Sequence, residues 1–156
     1  MDTMYTVYIV RHAEALPDGE LSPSGTRQSS NLADRLEKHI DTPPIIRIFC
    51  SPKKRASQTA EVIAGRFREL ETPPIVMMSE RVELDEDASP ETIRSFLSWV
   101  SSREGVKIIV SHLPVIETIG KLLLIDKFVP AVSLEYLHNG EAWVADQDAR
   151  TIERLV

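Results

Sequence analysis

Apolar and polar positions along this chain change their period several times, and each change marks an element. Tyr5 to Val10 (YTVYIV) is a run of β-branched and aromatic residues that passes into a polar, Pro- and Gly-containing stretch from Arg11 to Ser24. That pattern predicts a buried strand followed by a loop. From about Gly25 the period lengthens to four, with Leu32, Leu36 and Ile40 in line and Ser22 or Ser24 available as the cap. A helix is predicted there, ended by Asp41-Thr42-Pro43-Pro44. A second strand follows over Ile45 to Cys50, and Ser51-Pro52 leads into a helix with Ala56, Ala60, Ile63, Phe67 and Leu70 on one face. Glu71-Thr72-Pro73-Pro74 stops that helix before a strand from Ile75 to Met78. Thr-Pro-Pro-Ile therefore occurs twice, as one kind of helix-to-strand punctuation rather than as a repeat.

Beyond an acidic loop, Glu80 to Ser89, the inward set Ile93, Phe96, Leu97 and Val100 predicts a helix from Pro90 to about Arg103. Lys107 to Val110 reads as a buried strand and Ser111-His112-Leu113 as its carboxyl end. Pro114 then starts a helix that reaches about Ile125. The tail from Ser133 predicts two or three weaker strands around Asn139-Gly140 and Gln147-Asp148. Strands alternating with helices imply an α/β fold, a three-layer sandwich whose mostly parallel central sheet is flanked by helices, with a more irregular β tail. The 156 residues suit one domain, 1–156.

Charge narrows the partners. With 18 Lys and Arg against 24 Asp and Glu the net charge is −6, so the surface as a whole repels a polyphosphate backbone and nucleic acid is not an expected partner. The longest apolar runs are a few residues, far short of the ~20 needed to span a bilayer, and no membrane partner is expected. A single cysteine, with no basic region leading into an apolar signal core at MDTMYTVYIV, points to the cytoplasm.

The candidate chemistry sits where ligands bind in such sheets, at the carboxyl ends of the strands. The first strand ends in Arg11-His12, the second in Ser51 with Arg55 shortly after, and the strand Lys107 to Val110 in Ser111-His112. Two histidines and two arginines are thus predicted to meet at one rim. Two guanidinium groups offer planar donors matched to phosphate oxygens, and a helix starting near Lys54 adds backbone N–H groups. A neutral imidazole beside a phosphoryl group can attack phosphorus and carry it covalently, while the second histidine and the arginines hold its oxygens.

Competing chemistries fit less well. The arginines disfavour a bound cation, and no HxxxH, HxH or CxxC spacing occurs, so neither a metal nor another cofactor is expected. There is no GxxxxGK[ST] or GxGxxG loop. Four residues separate Cys50 from Arg55 where the cysteine phosphatase loop has five, and Cys50 reads as a small buried side chain at a strand end. His39 at a helix end and His138 before an Asn-Gly turn carry no catalytic expectation.

These residues resemble the motifs of the histidine phosphatase superfamily, also called the phosphoglycerate mutase-like or RHG family. Arg11-His12-Ala13 is similar to its Arg-His-Gly motif, Leu21 to Gln28 to its L[ST]xxGxxQ segment, Ser51 to Ala60 to its SPxxRAxQTA segment, and Val110-Ser111-His112 to its second histidine. The resemblance spans Tyr5 to about Leu124 and implies a phosphoglycerate mutase-like fold. It implies that His12 is the nucleophile, with Arg11, Arg55 and His112 completing a phosphate pocket. Ala13 stands in place of the usual Gly, tolerable where φ is negative. Ala15 and Asp18 occupy positions that are Ser and Asn in the mutase branch, which argues against a glycolytic mutase.

Short length, Arg-His-Ala-Glu-Ala and Ser-His-Leu-Pro look like the SixA type, the protein phosphohistidine phosphatases of signal transduction. The implied partner is a phosphohistidine-bearing phosphotransfer or phosphocarrier protein, and the implied enzyme is metal-independent. The family's general acid lies on the loop that here offers Glu83, Asp85, Glu86 and Asp87. Glu83 in Val-Glu-Leu is the best match, although the SixA type often lacks an acid in the standard place. The absence of long insertions around Arg55 predicts an open, shallow pocket. Two other readings fit the same residues: a small-molecule phosphomonoesterase for a sugar or nucleoside phosphate, and a phosphate- or phosphoprotein-binding module without turnover.

Overall fold

The apolar run that opens the chain forms β1 (Thr6–Arg11), which lies inside a six-stranded sheet. The computed structural model describes residues 6–41, 43–126, 134–146 and 150–156. After β1 come α1 (Pro23–His39), β2 (Ile45–Cys50), α2 (Lys54–Arg68) and β3 (Ile75–Glu80), then a 3₁₀ turn at Val82–Leu84. The chain continues through α3 (Pro90–Ser101), β4 (Val106–Ser111), α4 (Leu113–Asp126), β5 (Ala142–Asp146) and β6 (Thr151–Arg154). The sheet order is β3-β2-β4-β1-β5-β6. The first four are parallel, and β5 and β6 add antiparallel at the far side.

Period-two alternation assigns the strands to two cores. Tyr8, Val10, Ile48, Cys50, Ile108 and Val110 pack with Leu32 and Leu36 of α1 and Ala60 and Ile63 of α2. Val7, Ile9, Phe49 and Ile109 pack on the other face with Ile93 and Phe96 of α3 and Ile116 and Ile119 of α4. This is the expected three-layer α/β sandwich. None of the described helices is long and apolar enough to cross a membrane.

Topology places the site. The chain leaves β1, builds β2 and β3 outward, and returns to insert β4 between β2 and β1. Such a reversal opens a crevice at the carboxyl ends of the strands. The register Arg11↔Ser111 and Cys50↔Val110 brings three strand ends level, so the residues that follow them, His12, Ser51 and His112, stand side by side.

Several boundaries differ from the sequence reading. Of the two caps open to α1, Ser22 is the one used, accepting from the Gly25 N–H at 2.9 Å, and the helix starts at Pro23 rather than about Gly25. Leu70 falls beyond the end of α2 yet still packs against the core. β3 runs two residues past Met78 to Glu80 because its backbone keeps pairing with β2 through Cys50↔Glu80. In the tail the described residues form two strands; 134–138 have no ladder partner, and Asn139-Gly140 turns into β5. Tyr5, Thr42, Ser133 and the Gln147-Asp148 turn lie outside the described residues.

Candidate active site

His12 directly follows β1, and its backbone N–H donates to the Ser111 carbonyl at 3.0 Å, fixing it beside the end of β4. Its ring Nδ1 lies 2.8 Å from the Ala13 carbonyl. A carbonyl only accepts, so Nδ1 carries the proton and the Nε2 lone pair of the neutral ring is left for chemistry. Burial lowers the His12 pKa below 6.5; the Ala13 bond opposes this, the Arg55 and Arg11 charges reinforce it, and Glu86 opposes it. The net direction favours the neutral ring, the form that attacks phosphorus.

His112 lies against it, with ring centroids 5.1 Å apart and planes at 63°. It is 2% exposed. Burial, then the His12 and Arg55 charges, push its pKa down to about 4 against the smaller opposing effects of Glu86 and Asp85. Its Nε2 is 2.8 Å from the hydroxyl of fully buried Ser51, while its Nδ1 is buried without a partner.

The two arginines approach from different elements. Arg55 lies in the first turn of α2, whose start carries no side-chain cap, so the positive end of the helix faces the same rim. Its Nη2 donates to Glu86 Oε2 at 2.9 Å. Arg11 is steadied from the tail, with Nη1 donating to the Leu137 carbonyl at 2.9 Å and to the Tyr136 hydroxyl at 3.1 Å. Its Nε is buried without a partner. Two nitrogens, Arg11 Nε and His112 Nδ1, are thus buried without a partner among the described residues, and an unsatisfied Arg11 N–H is a costly state that an anion's oxygen would relieve.

The remaining motif residues hold the loop after His12. The Ala13 N–H donates to Thr59 Oγ1 at 3.0 Å, the Glu14 N–H to Gln28 Oε1 at 2.9 Å, and the Leu21 N–H to Gln58 Oε1 at 2.8 Å. A Cβ on Gly25 would lie 2.0 Å from the Glu14 carbonyl oxygen, so only glycine lets the loop close on α1. Ala13 is fully buried, and its φ is not positive, so its methyl group is accommodated.

The charges of Arg55 and Arg11 act on His12, which packs against His112, while Glu83 is paired with Arg81. Arg81 donates to both Glu83 oxygens, at 3.2 and 3.1 Å, and its guanidinium lies 4.6 Å from the Trp99 ring centroid. Burial raises the Glu83 pKa, but its own backbone N–H and Arg81 outweigh this and hold it below the ordinary value. The carboxylate whose charge reaches both imidazoles is Glu86. Its loop is pinned at two strand ends, through the Arg81 N–H on the Cys50 carbonyl (2.7 Å) and the Ser111 hydroxyl on the Leu84 carbonyl (2.6 Å). Sequence spacing offered Glu86 as one of four acids but carried no signal to choose it. Nor did it signal Tyr136, which lies in the weakly patterned tail.

Other sequence candidates stay structural. Cys50 is buried and its thiol is pushed up to about 12 by burial and then by Glu80 and Glu61, so it is not a thiolate nucleophile. His39 Nδ1 bonds the hydroxyl of buried Tyr8 at 2.6 Å, and the His138 ring stacks edge-on with Tyr136. Among the described residues, no group of three His, Cys, Asp or Glu is placed to hold a metal ion.

Comparison with known proteins bears on the same residues. Residues 7–86 match the family model of the histidine phosphatase superfamily (branch 1). The chain belongs to this superfamily. The matched span holds Arg11-His12, the loop clamp, Arg55 and the acidic loop. No curated protein sequence matches the chain. Among solved structures of this fold, a protein from Nakamurella multipartitia, provisionally named phosphohistidine phosphatase SixA, is similar at 21% identity and TM-score 0.68, over 97% of this chain and 93% of that one. The protein histidine phosphatase SixA complexed with tungstate is similar at 20% identity and TM-score 0.68, covering 96% and 93%. A mycobacterial glucosyl-3-phosphoglycerate phosphatase has 15% identity and TM-score 0.64, covering 96% of each chain. At these identities the likeness is one of fold, and the superfamily's phosphatase members here include proteins named for both protein and small-molecule substrates.

Proposed function

We propose that this member of the superfamily is a metal-independent phosphatase that removes phosphate from phosphohistidine on a phosphotransfer or phosphocarrier protein. The observation that carries the reading is a His12 ring whose Nδ1 is held by the Ala13 carbonyl, leaving Nε2 for chemistry, near two buried nitrogens, Arg11 Nε and His112 Nδ1, that have no partner among the described residues. In the first step His12 Nε2 bonds to phosphorus as the phosphorus–nitrogen bond of the substrate breaks, and the departing imidazole nitrogen takes a proton. In the second, the oxygen of a water bonds to phosphorus, the bond to His12 Nε2 breaks, and the water's proton goes to a base. Arg55, Arg11 and His112 hold the phosphoryl oxygens while charge moves.

Glu86, in place of Glu83, is the acid and base of this reading. In the free protein it pairs with Arg55; a phosphoryl group would take over that guanidinium and free the carboxyl beside the leaving group. Phosphohistidine suits such a modest acid, because an imidazole with a reference pKa near 6.5 leaves more easily than an alkoxide. His12 itself is only partly buried, which supports access for a phosphohistidine borne on a protein. The positive charges of Arg55 and Arg11 beside His12 also disfavour a resident cation there.

Phosphate release from a histidine-phosphorylated phosphotransfer domain, compared with a panel of phosphate monoesters, tests the substrate class. Chelator is present throughout and His12→Ala is the control. The reading expects rapid chelator-insensitive loss from phosphohistidine and feeble ester hydrolysis. Saturable turnover of one sugar or nucleoside phosphate would move the protein to the small-molecule reading.

A further inference from the structure

The buried contact between Ser51 and His112 has a consequence for where the proton of His112 resides. Ser51 is fully buried at the end of β2. Its hydroxyl oxygen already accepts a long contact, 3.3 Å, from the Lys53 N–H. A buried hydroxyl must place its hydrogen on an acceptor or leave it unsatisfied. The acceptor at bonding distance is His112 Nε2, 2.8 Å away. If Nε2 accepts, the single proton of the neutral ring belongs on Nδ1. That nitrogen is buried and has no partner among the described residues.

We infer that Ser51 is a positioning residue that fixes His112 as the Nδ1–H tautomer, so that this ring presents a hydrogen-bond donor to a phosphoryl oxygen. The assignment deepens the phosphatase reading and rests on it for the identity of the acceptor. The alternative tautomer would place a lone pair at Nδ1, which repels an anionic oxygen, and would make the Ser51 hydroxyl accept from two sides with its own hydrogen unmatched. A depressed His112 pKa agrees with this arrangement, since the ring stays neutral and its tautomer is defined at neutral pH. His12 shows the same logic by a different partner: the Ala13 carbonyl holds its proton at Nδ1 and frees Nε2 to attack. The two neighbouring rings thus carry protons on the same nitrogen for opposite purposes, one to bare a nucleophile and one to supply a donor.

Nitrogen-15 NMR of histidine-labelled protein at neutral pH reads the tautomer directly from the ring's nitrogen shifts and couplings. The wild-type ring of His112, assigned by comparison with His112→Gln, is expected to be protonated at Nδ1. In Ser51→Ala the population should shift toward Nε2–H, and kcat on a phosphorylated substrate should fall about 10- to 100-fold, short of the ~10²–10³-fold cost of losing an oxyanion donor outright. KM should move less than kcat, because the donor matters most as charge builds on the oxygen. A wild-type His112 protonated at Nε2 overturns the inference, as does a folded Ser51→Ala protein with tautomer and kcat unchanged. If Ser51→Ala does not fold, the wild-type spectrum alone decides. The spectrum needs no substrate, so an Nδ1–H ring in a protein without phosphatase activity would sink the phosphatase reading and leave the tautomer assignment standing.

Discussion

At the scale of single residues, the protonation state of His12 decides whether the site can act. Its folded pKa lies below the ordinary 6.5, mainly through burial, so the neutral ring that the proposed attack needs dominates at neutral pH and is lost only on acidification. A profile of kcat/KM against pH should therefore be level through neutrality, with an acid limb centred below 6.5. A limb centred above that value would contradict the arrangement. The acidic loop makes a second prediction. Glu86→Gln should lower kcat/KM, which reports the phosphorylation step, about 10²–10⁴-fold on substrates with a poor leaving group and much less on an aryl phosphate, whereas Glu83→Gln should stay within a few-fold on both. Measuring the four rates separates the two carboxylates, and a larger loss in Glu83→Gln would return the acid role to that residue. The histidines and arginines were legible in the sequence because each follows a strand at a motif position. The choice among the acids was not, since it depends on Arg81 turning Glu83 aside and on two backbone bonds that aim the loop.

At the scale of elements, the loop between β1 and α1 is held by side chains from the two helices that follow it. Gln28, Gln58, Thr59 and Ser22 each take a backbone N–H of the loop or of the helix start. Gly25→Ala should push the Glu14 carbonyl away and loosen this clamp, costing about 1–3 kcal/mol, or roughly 3–10 °C in Tm for a chain of this size. Thermal unfolding followed by circular dichroism checks it; an unchanged Tm would show that the contact at Gly25 relaxes freely. The helices and parallel strands were readable from period and punctuation, with errors confined to ends such as Leu70 and Met78. Those ends depend on pairing and packing that local pattern does not encode. The tail was read least well, because 134–138 have strand-like composition but no neighbour with which to pair.

At the scale of the whole molecule, an α/β sandwich with its strand order reversed beside β1 gathers three strand ends into one crevice, and burial there has a cost in acid. His112 has a folded pKa of about 4 against 6.5 unfolded. The unfolded chain thus binds more protons between those values, and stability falls as pH is lowered through that window, by about 3 kcal/mol at pH near 4 from this ring alone. Urea unfolding at neutral and at acidic pH should show the loss in the wild type and a smaller one in His112→Gln; equal losses would place the acid sensitivity elsewhere. The central claim, that His12 carries the phosphoryl group covalently, is tested most directly by incubating the protein with a substrate bearing labelled phosphate, quenching without acid, and locating the label by mass spectrometry. The account predicts label on His12, absent from His12→Ala and accumulating further when Glu86→Gln slows hydrolysis. Label found on another residue, or turnover that persists in His12→Ala, would contradict it.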